Sequence, residues 1–280
     1  MTAAIRRLPA RVRTVAVALA ALLLVSTIGL PGDARAADRT PSAPKPTIVL
    51  VHGAFADASG WHAVIERLAR KGYNVIAPAN PLHGLASDVQ YVRDFLATID
   101  GPIVLVGHSY GGFVITNAAT GDADVKALVY IAAFAPDEGE TVGGISASAP
   151  GSLLGPDTLT VRPYTGADGT QHLEGYITPT RYREVFAADV DRTDAWVYAV
   201  SQKPADLSIL QTPSGTPAWK TIPSWTLVAT RDRVIPPDAQ RAMAERAGAT
   251  TIEVTASHSV ADSRSWKVAA FIERAASSVR

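Results

Sequence analysis

Short apolar runs alternate along the chain with segments of helical periodicity. The run Thr47–Val51 is apolar almost throughout, as expected for a strand that is buried on both faces. After it, apolar residues recur at helical spacing at Trp61, Val64, Ile65 and Leu68, and Gly72 ends the segment. This pattern predicts a buried strand followed by an amphipathic helix.

The same alternation extends to residue 132 and returns near the C-terminus. Further strands are predicted at 73–77, 103–106, 125–132, 224–230 and 250–255, and further helices at 88–99, 113–119, 237–248 and from Asp262 onward. Alternating strands and helices favour parallel strands joined by right-handed crossovers. The sequence therefore predicts an α/β protein with a doubly wound, mostly parallel sheet.

Residues 136–223 interrupt this alternation. The segment is rich in Gly, Ser and Pro up to Gly169, has a helical pattern over 180–201, and ends in a loop rich in Thr and Pro. Because it lies between two predicted sheet strands, we expect an inserted unit at the sheet edge where functional residues of such folds collect.

The pentapeptide Gly107-His108-Ser109-Tyr110-Gly111 follows directly on the apolar run 103–106. A G-x-S-x-G sequence between a buried strand and a helix is typical of a nucleophile elbow, a sharp turn that projects a serine hydroxyl above a sheet. Glycine on each side of the serine lets neighbouring backbones pass closely. We therefore predict that Ser109 is a nucleophile; the alternative is a purely structural turn.

A serine hydroxyl needs a base within hydrogen-bond reach and an acid that orients this base. Among the six histidines, only His258 stands in a loop directly after a late predicted strand, and parallel strands end at one common edge. His258 is therefore the predicted base. Asp232, after another strand, is the preferred acid because of the chain order Ser, Asp, His; Asp137 and Glu138 are the alternatives.

Backbone N–H groups must also stabilise negative charge on the substrate oxygen. One is predicted from Tyr110, at the start of the helix after the nucleophile. The other is predicted from the loop after the first strand, with Ala54 preferred and Phe55 second. We expect His52 to brace that loop and His108 to pack beneath the elbow.

Composition narrows the range of functions. The 280 residues are 47% hydrophobic, enough for one domain with a full core, and 26 Lys+Arg balance 26 Asp+Glu, which gives no reason to predict a nucleic-acid partner. The absence of cysteine excludes disulfides and thiolate chemistry. No phosphate-binding glycine loop is found. No metal is predicted, since metal-ligand spacing is lacking at Asp57, His62, His83, Asp88 and His172.

The N-terminus has the order of features found in a secretory signal. Arg6, Arg7, Arg11 and Arg13 precede an apolar run over 14–30, and Ala34-Arg35-Ala36 follows. We predict cleavage after Ala36, a flexible lead-in over 37–46, a single domain over 47–280, and a secreted protein, extracellular or periplasmic. The alternative is a retained membrane anchor, because the apolar run is nearly long enough to span a bilayer.

Five sequence blocks stand out: VLVHGAFADASGW (49–61), VIAPANPLHGLASD (75–88), VLVGHSYGG (104–112), VKALVYIAAFAPDEGE (125–140) and TRDRVIPP (230–237). Together they resemble bacterial esterases of the α/β-hydrolase superfamily, in the branch that also holds plant methylesterases and hydroxynitrile lyases. The resemblance covers about residues 47–280. It implies an α/β-hydrolase fold with six strands, a cap over the active site and no cofactor. It also implies a triad of Ser109, Asp232 and His258, with Ala54 and Tyr110 as oxyanion donors.

Two departures from related families favour ester hydrolysis. The lyases place a lysine directly after the catalytic histidine, where this chain has Ser259, and related dehalogenases and epoxide hydrolases use an aspartate nucleophile where this chain has Ser109. The predicted function is a serine carboxylesterase for small to medium hydrophobic esters, with no membrane partner in its mature form.

A substrate pocket is predicted from aromatic residues at Phe55, Trp196, Tyr198 and Trp219, each of which is equally consistent with ordinary core packing. Alternatives to the esterase are a non-catalytic ligand-binding protein on the same scaffold, an amidase or peptidase with the same triad, and a lyase-like activity. The oligomeric state is not predicted.

Overall fold

A six-stranded parallel sheet lies at the centre of the residues that the computed structural model describes, 44–167 and 169–279. In chain order the strands are β1 (Thr47–Val51), β2 (Val75–Ile76), β3 (Ile103–Ser109), β4 (Val125–Ala133), β5 (Leu159–Thr165), β6 (Gln171–Ile177), β7 (Ala205–Asp206), β8 (Ser224–Ala229) and β9 (Thr250–Val254). The main sheet has the spatial order β2-β1-β3-β4-β8-β9, and every neighbouring pair is parallel. This confirms the predicted doubly wound α/β fold.

Helices connect the strands and cover the sheet. They are α1 (His62–Arg70), α2 (Leu85–Leu96), α3 (Tyr110–Ala118), α4 (Val142–Ala147), α5 (Pro179–Val185), α6 (Arg192–Ser201), α7 (Pro237–Arg246), α8 (Val260–Ser263) and α9 (Ser265–Ser278). None of the helices in the described ranges has both the length and the apolar character needed to cross a membrane. The predicted signal sequence at 1–36 lies outside the described residues.

Both faces of the sheet are buried, which explains why its central strands β1 and β3 each contain a continuous apolar run. Every residue of β1 and β3 is buried. Val49 and Val51 of β1 belong to the core cluster that includes α2 and α3, whereas Ile48 and Leu50 belong to the cluster that includes α1 and α9. Successive side chains of a strand point to opposite faces, so one continuous apolar run serves two cores.

The segment between β4 and β8 contains a second, smaller sheet that the sequence pattern did not predict. Strands β5, β6 and β7 pair antiparallel in that order. β5 is an edge strand and is largely exposed, so its sequence LTVRPYT has no apolar run and includes Pro163. The helical pattern over 180–201 corresponds to two helices, α5 and α6, and Asp191 caps the second by accepting from the backbone of Thr193.

Glycines at the β3–α3 turn allow the backbone to approach neighbouring strands more closely than any side chain permits. A Cβ atom at Gly111 would overlap the carbonyl oxygen of Val51 at the end of β1. A Cβ atom at Gly107 would lie 2.6 Å from the backbone nitrogen of Gly112. The turn is therefore fixed to the sheet by backbone contacts for which only glycine leaves room.

We expect Gly111→Ala to destabilise the fold by roughly 1–3 kcal/mol, because the added methyl group has no space without backbone movement. Urea unfolding followed by circular dichroism measures this difference. Gly60→Ala is the matched control, since a Cβ atom there meets nothing within 4 Å. Equal stability of the two variants would contradict the packing argument.

Candidate active site

Ser109 is the last residue of β3 and directly precedes α3, at the edge where the parallel strands end. Its backbone has φ 55° and ψ −128°, a conformation that residues with a side chain rarely adopt. Such strain persists only where the surrounding structure enforces it, and it clusters at functional sites. The side chain is 4% exposed. Ser109 thus stands at a strained, buried turn at the strand ends, as expected of a nucleophile elbow.

Asp232 and His258 come together although 26 positions separate them. His258 Nδ1 lies 2.7 Å from Asp232 Oδ2, and both side chains are buried. Asp232 follows β8 and His258 follows β9, so the parallel strands deliver both side chains to the same edge. The carboxylate accepts a hydrogen, so Nδ1 carries it and Nε2 keeps the lone pair. The arrangement is that of a base oriented by an acid.

Three donors besides the histidine hold the Asp232 carboxylate. The backbone nitrogens of Val234 and Ile235 donate to Oδ1 at 2.7 and 3.0 Å. Gln240 Nε2 donates to Oδ2 at 2.8 Å, and the same side chain also bonds Ala229 N and Ile235 O. Gln240 was not among the predicted site residues. It lies on α7, and a glutamine in a helix gives no sequence signal of this role.

The alternative acids lie elsewhere. Asp137 forms a salt bridge at 2.7 Å with Lys220, and this hydrogen-bonded contact lowers the pKa of the carboxyl. Glu138 accepts a hydrogen bond from Thr216. Among the described residues, neither carboxylate has a hydrogen bond to His258. The geometry therefore favours Asp232 over both.

His258 is enclosed by its neighbours. His108 Nε2 lies 2.9 Å from the backbone oxygen of His258, and the two rings are 4.6 Å apart. The ring of Phe186, in the inserted segment, packs edge-on against the His258 ring, with 4.6 Å between the ring centroids. The backbone oxygen of Phe186 accepts a hydrogen bond from Ser259 N. Burial and the nearby His258 lower the pKa of His108 to about 3. His108 is therefore neutral at physiological pH, and it helps to hold the backbone of His258.

The second ring nitrogen of His258, Nε2, is buried and has no hydrogen-bond partner among the described residues. The structure thus contains no hydrogen bond from Ser109 Oγ to this nitrogen. Catalytic hydrogen bonds are often long or poorly aligned in a free enzyme and tighten when substrate binds. The lone pair of Nε2 is therefore not engaged by any other group that the structure describes.

The loop after β1 packs directly on the elbow. A Cβ atom at Gly53 would lie 2.6 Å from Ser109 Cβ and 3.0 Å from Tyr110 N. Ala54 follows, and neither its backbone N–H nor that of Tyr110 donates to another described group. This places the two predicted oxyanion donors on adjoining segments beside Ser109, with N–H groups that are not otherwise engaged.

Three contacts brace this loop. His52 Nδ1 lies 3.0 Å from Gly53 O, and Asn80 donates to His52 O at 3.2 Å. Tyr182 of α5 donates to the backbone oxygen of Phe55 at 3.1 Å. Phe55 itself has φ 61°, so its backbone conformation depends on such support. Tyr182 lies in the inserted segment, and no sequence pattern there indicates this role.

Tyr110 has a second role through its side chain. Its hydroxyl donates at 2.9 Å to Asp88 Oδ2, a carboxylate that is fully buried on α2. Burial raises the pKa of Asp88, and hydrogen bonds from His83 N, Tyr110 and Ser87 oppose this rise. The residue after the nucleophile is therefore tied to α2 by a hydrogen bond to an acidic group.

An apolar cavity of about 20 Å³ adjoins Ser109, Tyr110 and Ala54. A larger apolar cleft of about 450 Å³ shares four of its lining residues, Phe55, Leu154, Leu207 and Leu210. The cleft and the cavity at Ser109 therefore adjoin each other through these four residues.

Of the four predicted pocket residues, Phe55 alone is among the residues that line the cavity at Ser109. Trp196 is 53% exposed on α6. Trp219 packs against the core with its Nε1 donating to Pro136 O at 2.7 Å, and Tyr198 lines a different cavity. Trp196, Tyr198 and Trp219 are thus not among the residues that line the cavity at Ser109. Its apolar lining includes Leu154, Leu207, Ile209 and Leu210 of the inserted segment together with Phe134, Val142 and Val234.

Comparison with known proteins defines the class of this chain. Residues 48–270 match the model of the alpha/beta hydrolase family. The chain belongs to this family, and it is a hydrolytic enzyme. The resemblance of its sequence blocks to esterases of the superfamily is thereby confirmed.

Two relatives are particularly informative. A pyrethroid hydrolase from Sphingobium wenxiniae is 30% identical over 231 residues, 70% of this chain and 74% of that protein. A carbendazim-hydrolysing esterase from Nocardioides is 33% identical over 107 residues, 34% of this chain and 44% of that protein. The latter match thus spans less than half of the relative.

Solved structures show the same fold at lower identity. Polyneuridine aldehyde esterase superposes with a TM-score of 0.71 at 18% identity, covering 82% of this chain and 99% of that one. Tomato methylketone synthase I superposes with a TM-score of 0.70 at 19% identity, covering 85% and 100%.

Tyr110→Phe should destabilise the protein more at about pH 7.5 than at about pH 4. A carboxyl whose pKa is raised by folding contributes stability below its unfolded pKa, and this contribution is lost as pH rises through the folded pKa. Removing the Tyr110 donor raises the pKa of Asp88 in the folded protein further. We therefore expect the free energy of unfolding at neutral pH to fall by about 1.5–3 kcal/mol.

Urea unfolding at both pH values measures this difference. Tyr130→Phe is the matched control, because the buried Tyr130 hydroxyl bonds the uncharged Thr116 hydroxyl. Its effect should be the same at both pH values. A pH-independent effect of Tyr110→Phe would show that Asp88 is not the partner that matters.

Proposed function

We propose that this protein is a secreted serine carboxylesterase in which Ser109, His258 and Asp232 form the catalytic triad. The observation that carries the proposal is the buried 2.7 Å contact between His258 and Asp232 at the strand edge that holds the strained Ser109. The other ring nitrogen of His258 has no partner among the described residues. The family and the relatives named as esterase and hydrolase support the reaction class.

In the first half of the reaction, Ser109 Oγ attacks the ester carbonyl carbon while His258 Nε2 takes the hydroxyl proton. Asp232 stabilises the imidazolium that results and fixes its orientation. His258 then gives this proton to the departing alcohol oxygen, and an acyl-enzyme remains on Ser109. The free enzyme has no hydrogen bond between the Ser109 hydroxyl and His258 Nε2. The proposed mechanism requires this hydrogen bond to form when substrate binds.

The tetrahedral intermediate carries negative charge on the former carbonyl oxygen. The backbone N–H groups of Ala54 and Tyr110 supply two aimed donors, and Tyr110 adds the favourable dipole at the start of α3. The braces on the Gly53–Phe55 loop serve to keep the first donor fixed. In the second half of the reaction, His258 activates a water molecule that attacks the acyl carbon and releases the acid.

Substrates of small to medium size and apolar character fit the surroundings of Ser109. The cavity and the adjoining cleft are lined mainly by apolar side chains, and the cleft volume is about 450 Å³. The relatives named for pyrethroid and carbendazim hydrolysis support hydrophobic organic esters as the substrate class. We place Phe55, Leu154, Leu207 and Leu210 along the approach to the nucleophile.

Secretion is part of the proposal and depends on the sequence alone. Four arginines, an apolar run and the Ala34-Arg35-Ala36 site follow one another in the order of a signal sequence. The triad chemistry does not depend on this part of the proposal.

Ser109→Ala should lower kcat for a chromogenic short-chain ester by several orders of magnitude, about 10⁴-fold to 10⁶-fold, because it removes the attacking oxygen. Steady-state kinetics on the purified domain from residue 37 measure the loss. Asp232→Asn should also lose activity, by about 10⁴-fold, through loss of the correct imidazole orientation.

Asp137→Asn is the matched control for the acid, since Asp137 is bonded to Lys220. Its turnover should stay close to that of the unchanged protein. Undiminished turnover in Ser109→Ala would show that Ser109 is not the nucleophile. A greater loss of turnover in Asp137→Asn than in Asp232→Asn would show that Asp137, and not Asp232, is the acid.

Expression of the full chain in a bacterial host that exports proteins tests secretion. We expect the exported protein to begin at or near Ala37 when its N-terminus is read by mass spectrometry. Recovery of an intact N-terminus in the membrane fraction would instead identify the apolar run as a retained anchor.

A further inference from the structure

Lys203 lies in the inserted segment, between α6 and β7, and its side chain reaches a loop of the main domain. Its Nζ donates to the backbone oxygen of Asn80 at 2.7 Å, although 123 positions separate the two residues. Asn80 stands in the loop that follows β2, at the edge where the parallel strands end. The hydrogen bond therefore joins the inserted segment to the edge of the sheet that holds Ser109.

The backbone beside Lys203 is held in place on both sides. The buried side chain of Gln202 bonds both backbone groups of Ile177 at 2.8 Å, where β6 ends. A few residues further on, the backbone nitrogen of Asp206 donates to Leu82 O at 2.9 Å. Burial also lowers the pKa of Lys203, whose side chain is half-buried. Lys203 is thus a fixed donor and not a freely moving surface lysine.

Asn80 extends the connection from Lys203 toward the catalytic edge. Its side chain is fully buried, and Nδ2 donates to the backbone oxygen of His52 at 3.2 Å. The other amide atom, Oδ1, is buried without a hydrogen-bond partner among the described residues. Such an atom costs free energy that an apolar side chain of the same shape would avoid. The bond to His52 is therefore the contact that an apolar residue could not replace.

His52 connects Asn80 to the loop that carries the first proposed oxyanion donor. Burial lowers the pKa of His52, so the ring is neutral, and its Nδ1 donates to Gly53 O at 3.0 Å. Gly53 packs on the nucleophile elbow without room for a Cβ atom, and Ala54 follows it. Three hydrogen bonds thus lead from Lys203 to the backbone that carries the Ala54 N–H group.

The position of this loop matters for the chemistry proposed above. A backbone donor stabilises developing negative charge only if it is aimed before the reaction begins. The loop includes Phe55, whose φ of 61° depends on support from its surroundings. Lys203 lines neither the cavity at Ser109 nor the adjoining cleft. Its replacement should therefore affect the transition state more than the binding of substrate.

We propose that Lys203 is a positioning residue for ester hydrolysis, which fixes the backbone N–H group of Ala54 through Asn80 and His52. The inference rests on the proposed esterase function. It gives the inserted segment a part in the reaction beyond covering the site, since a lysine of that segment holds the loop that stabilises the negative oxygen.

Lys203→Met keeps the length of the side chain and removes the donor. We expect kcat for a chromogenic short-chain ester to fall about 10-fold to 30-fold, a part of the 10²-fold to 10³-fold that loss of a whole oxyanion donor costs. KM should stay within about twofold. Lys203→Arg retains a charged donor and should keep a higher kcat than Lys203→Met.

Lys126→Met is the matched control. Lys126 also donates to a backbone oxygen, that of Ala123, but it lies near the start of β4, at the end of the sheet away from Ser109. Its kcat and KM should equal those of the unchanged protein. Circular dichroism shows that each variant is folded.

Two ketones separate positioning from a general structural effect. Ser109 Oγ adds to the carbonyl carbon of 1,1,1-trifluoro-2-octanone, its proton passes to His258 Nε2, and the carbonyl oxygen becomes negative, as in the ester reaction. 2-Octanone has the same chain length and stays a neutral ketone. By isothermal titration calorimetry, Lys203→Met should bind the trifluoromethyl ketone about tenfold more weakly and 2-octanone equally well.

A double variant tests the route through Asn80. Asn80→Leu leaves the backbone oxygen that Lys203 bonds but removes the donor to His52, so it should lower kcat in the same selective way. Because both residues act on one loop, Lys203→Met combined with Asn80→Leu should lose no more than the larger single loss. Additive losses would overturn the inference.

Three further results would also overturn the inference: a Lys203→Met protein with the kcat of Lys126→Met, one in which only KM rises, or one that binds both ketones more weakly by the same factor. Failure of the proposed function gives a different result. The unchanged protein would then bind the two ketones equally, or Ser109→Ala would keep its turnover, and the role of Lys203 would be overturned with it.

Discussion

The close approach of backbones at the β3–α3 turn is the constraint on which the rest of the structure depends. Gly111 passes against the carbonyl oxygen of Val51, Gly53 packs on Ser109, and Gly112 lies against the carbonyl oxygen of Phe134. The turn is thus held between the ends of β1 and β4. This packing surrounds the strained backbone of Ser109 and brings the loop after β1 beside it, where the proposed mechanism uses a backbone N–H group of that loop.

Parallel pairing supplies the remaining parts of the site without further strain. β8 and β9 are neighbours in register, so the loops that follow them place Asp232 and His258 side by side. Support for this pair comes from two other layers, Gln240 on α7 and Phe186 in the inserted segment. His258 is therefore positioned by the sheet and covered by the insertion. In the proposed mechanism, this cover excludes water from the ion pair that forms during proton transfer.

Much of this arrangement follows from the sequence because each element has a local signature. Apolar runs give the strands, the pentapeptide gives the elbow, and the position of Asp232 and His258 after strands gives the shared edge. The inserted segment lacks such signatures. β5 is an exposed edge strand containing proline, and β6 alternates between polar and apolar residues, so their pairing is decided by tertiary contacts rather than by composition.

The residues that line the cavity at Ser109 were likewise not predictable from local sequence patterns. Aromatic residues are the conspicuous candidates in a sequence, yet Trp196 is 53% exposed, and much of the cavity at Ser109 is lined by aliphatic residues of a kind that any core also contains. Gln240, Tyr182 and Phe186 act through contacts that only folding creates. Residues whose role depends on spacing along the chain could be predicted, whereas those whose role depends on packing between distant segments could not.

The central claim is that the hydroxyl of Ser109 is the attacking group, and covalent labelling tests it most directly. A fluorophosphonate reacts only with a serine activated by its own base, so intact-mass measurement and peptide mapping should show one adduct per chain, on Ser109. An active protein that acquires no adduct when it is treated with the fluorophosphonate, or acquires it on a residue other than Ser109, would contradict the account.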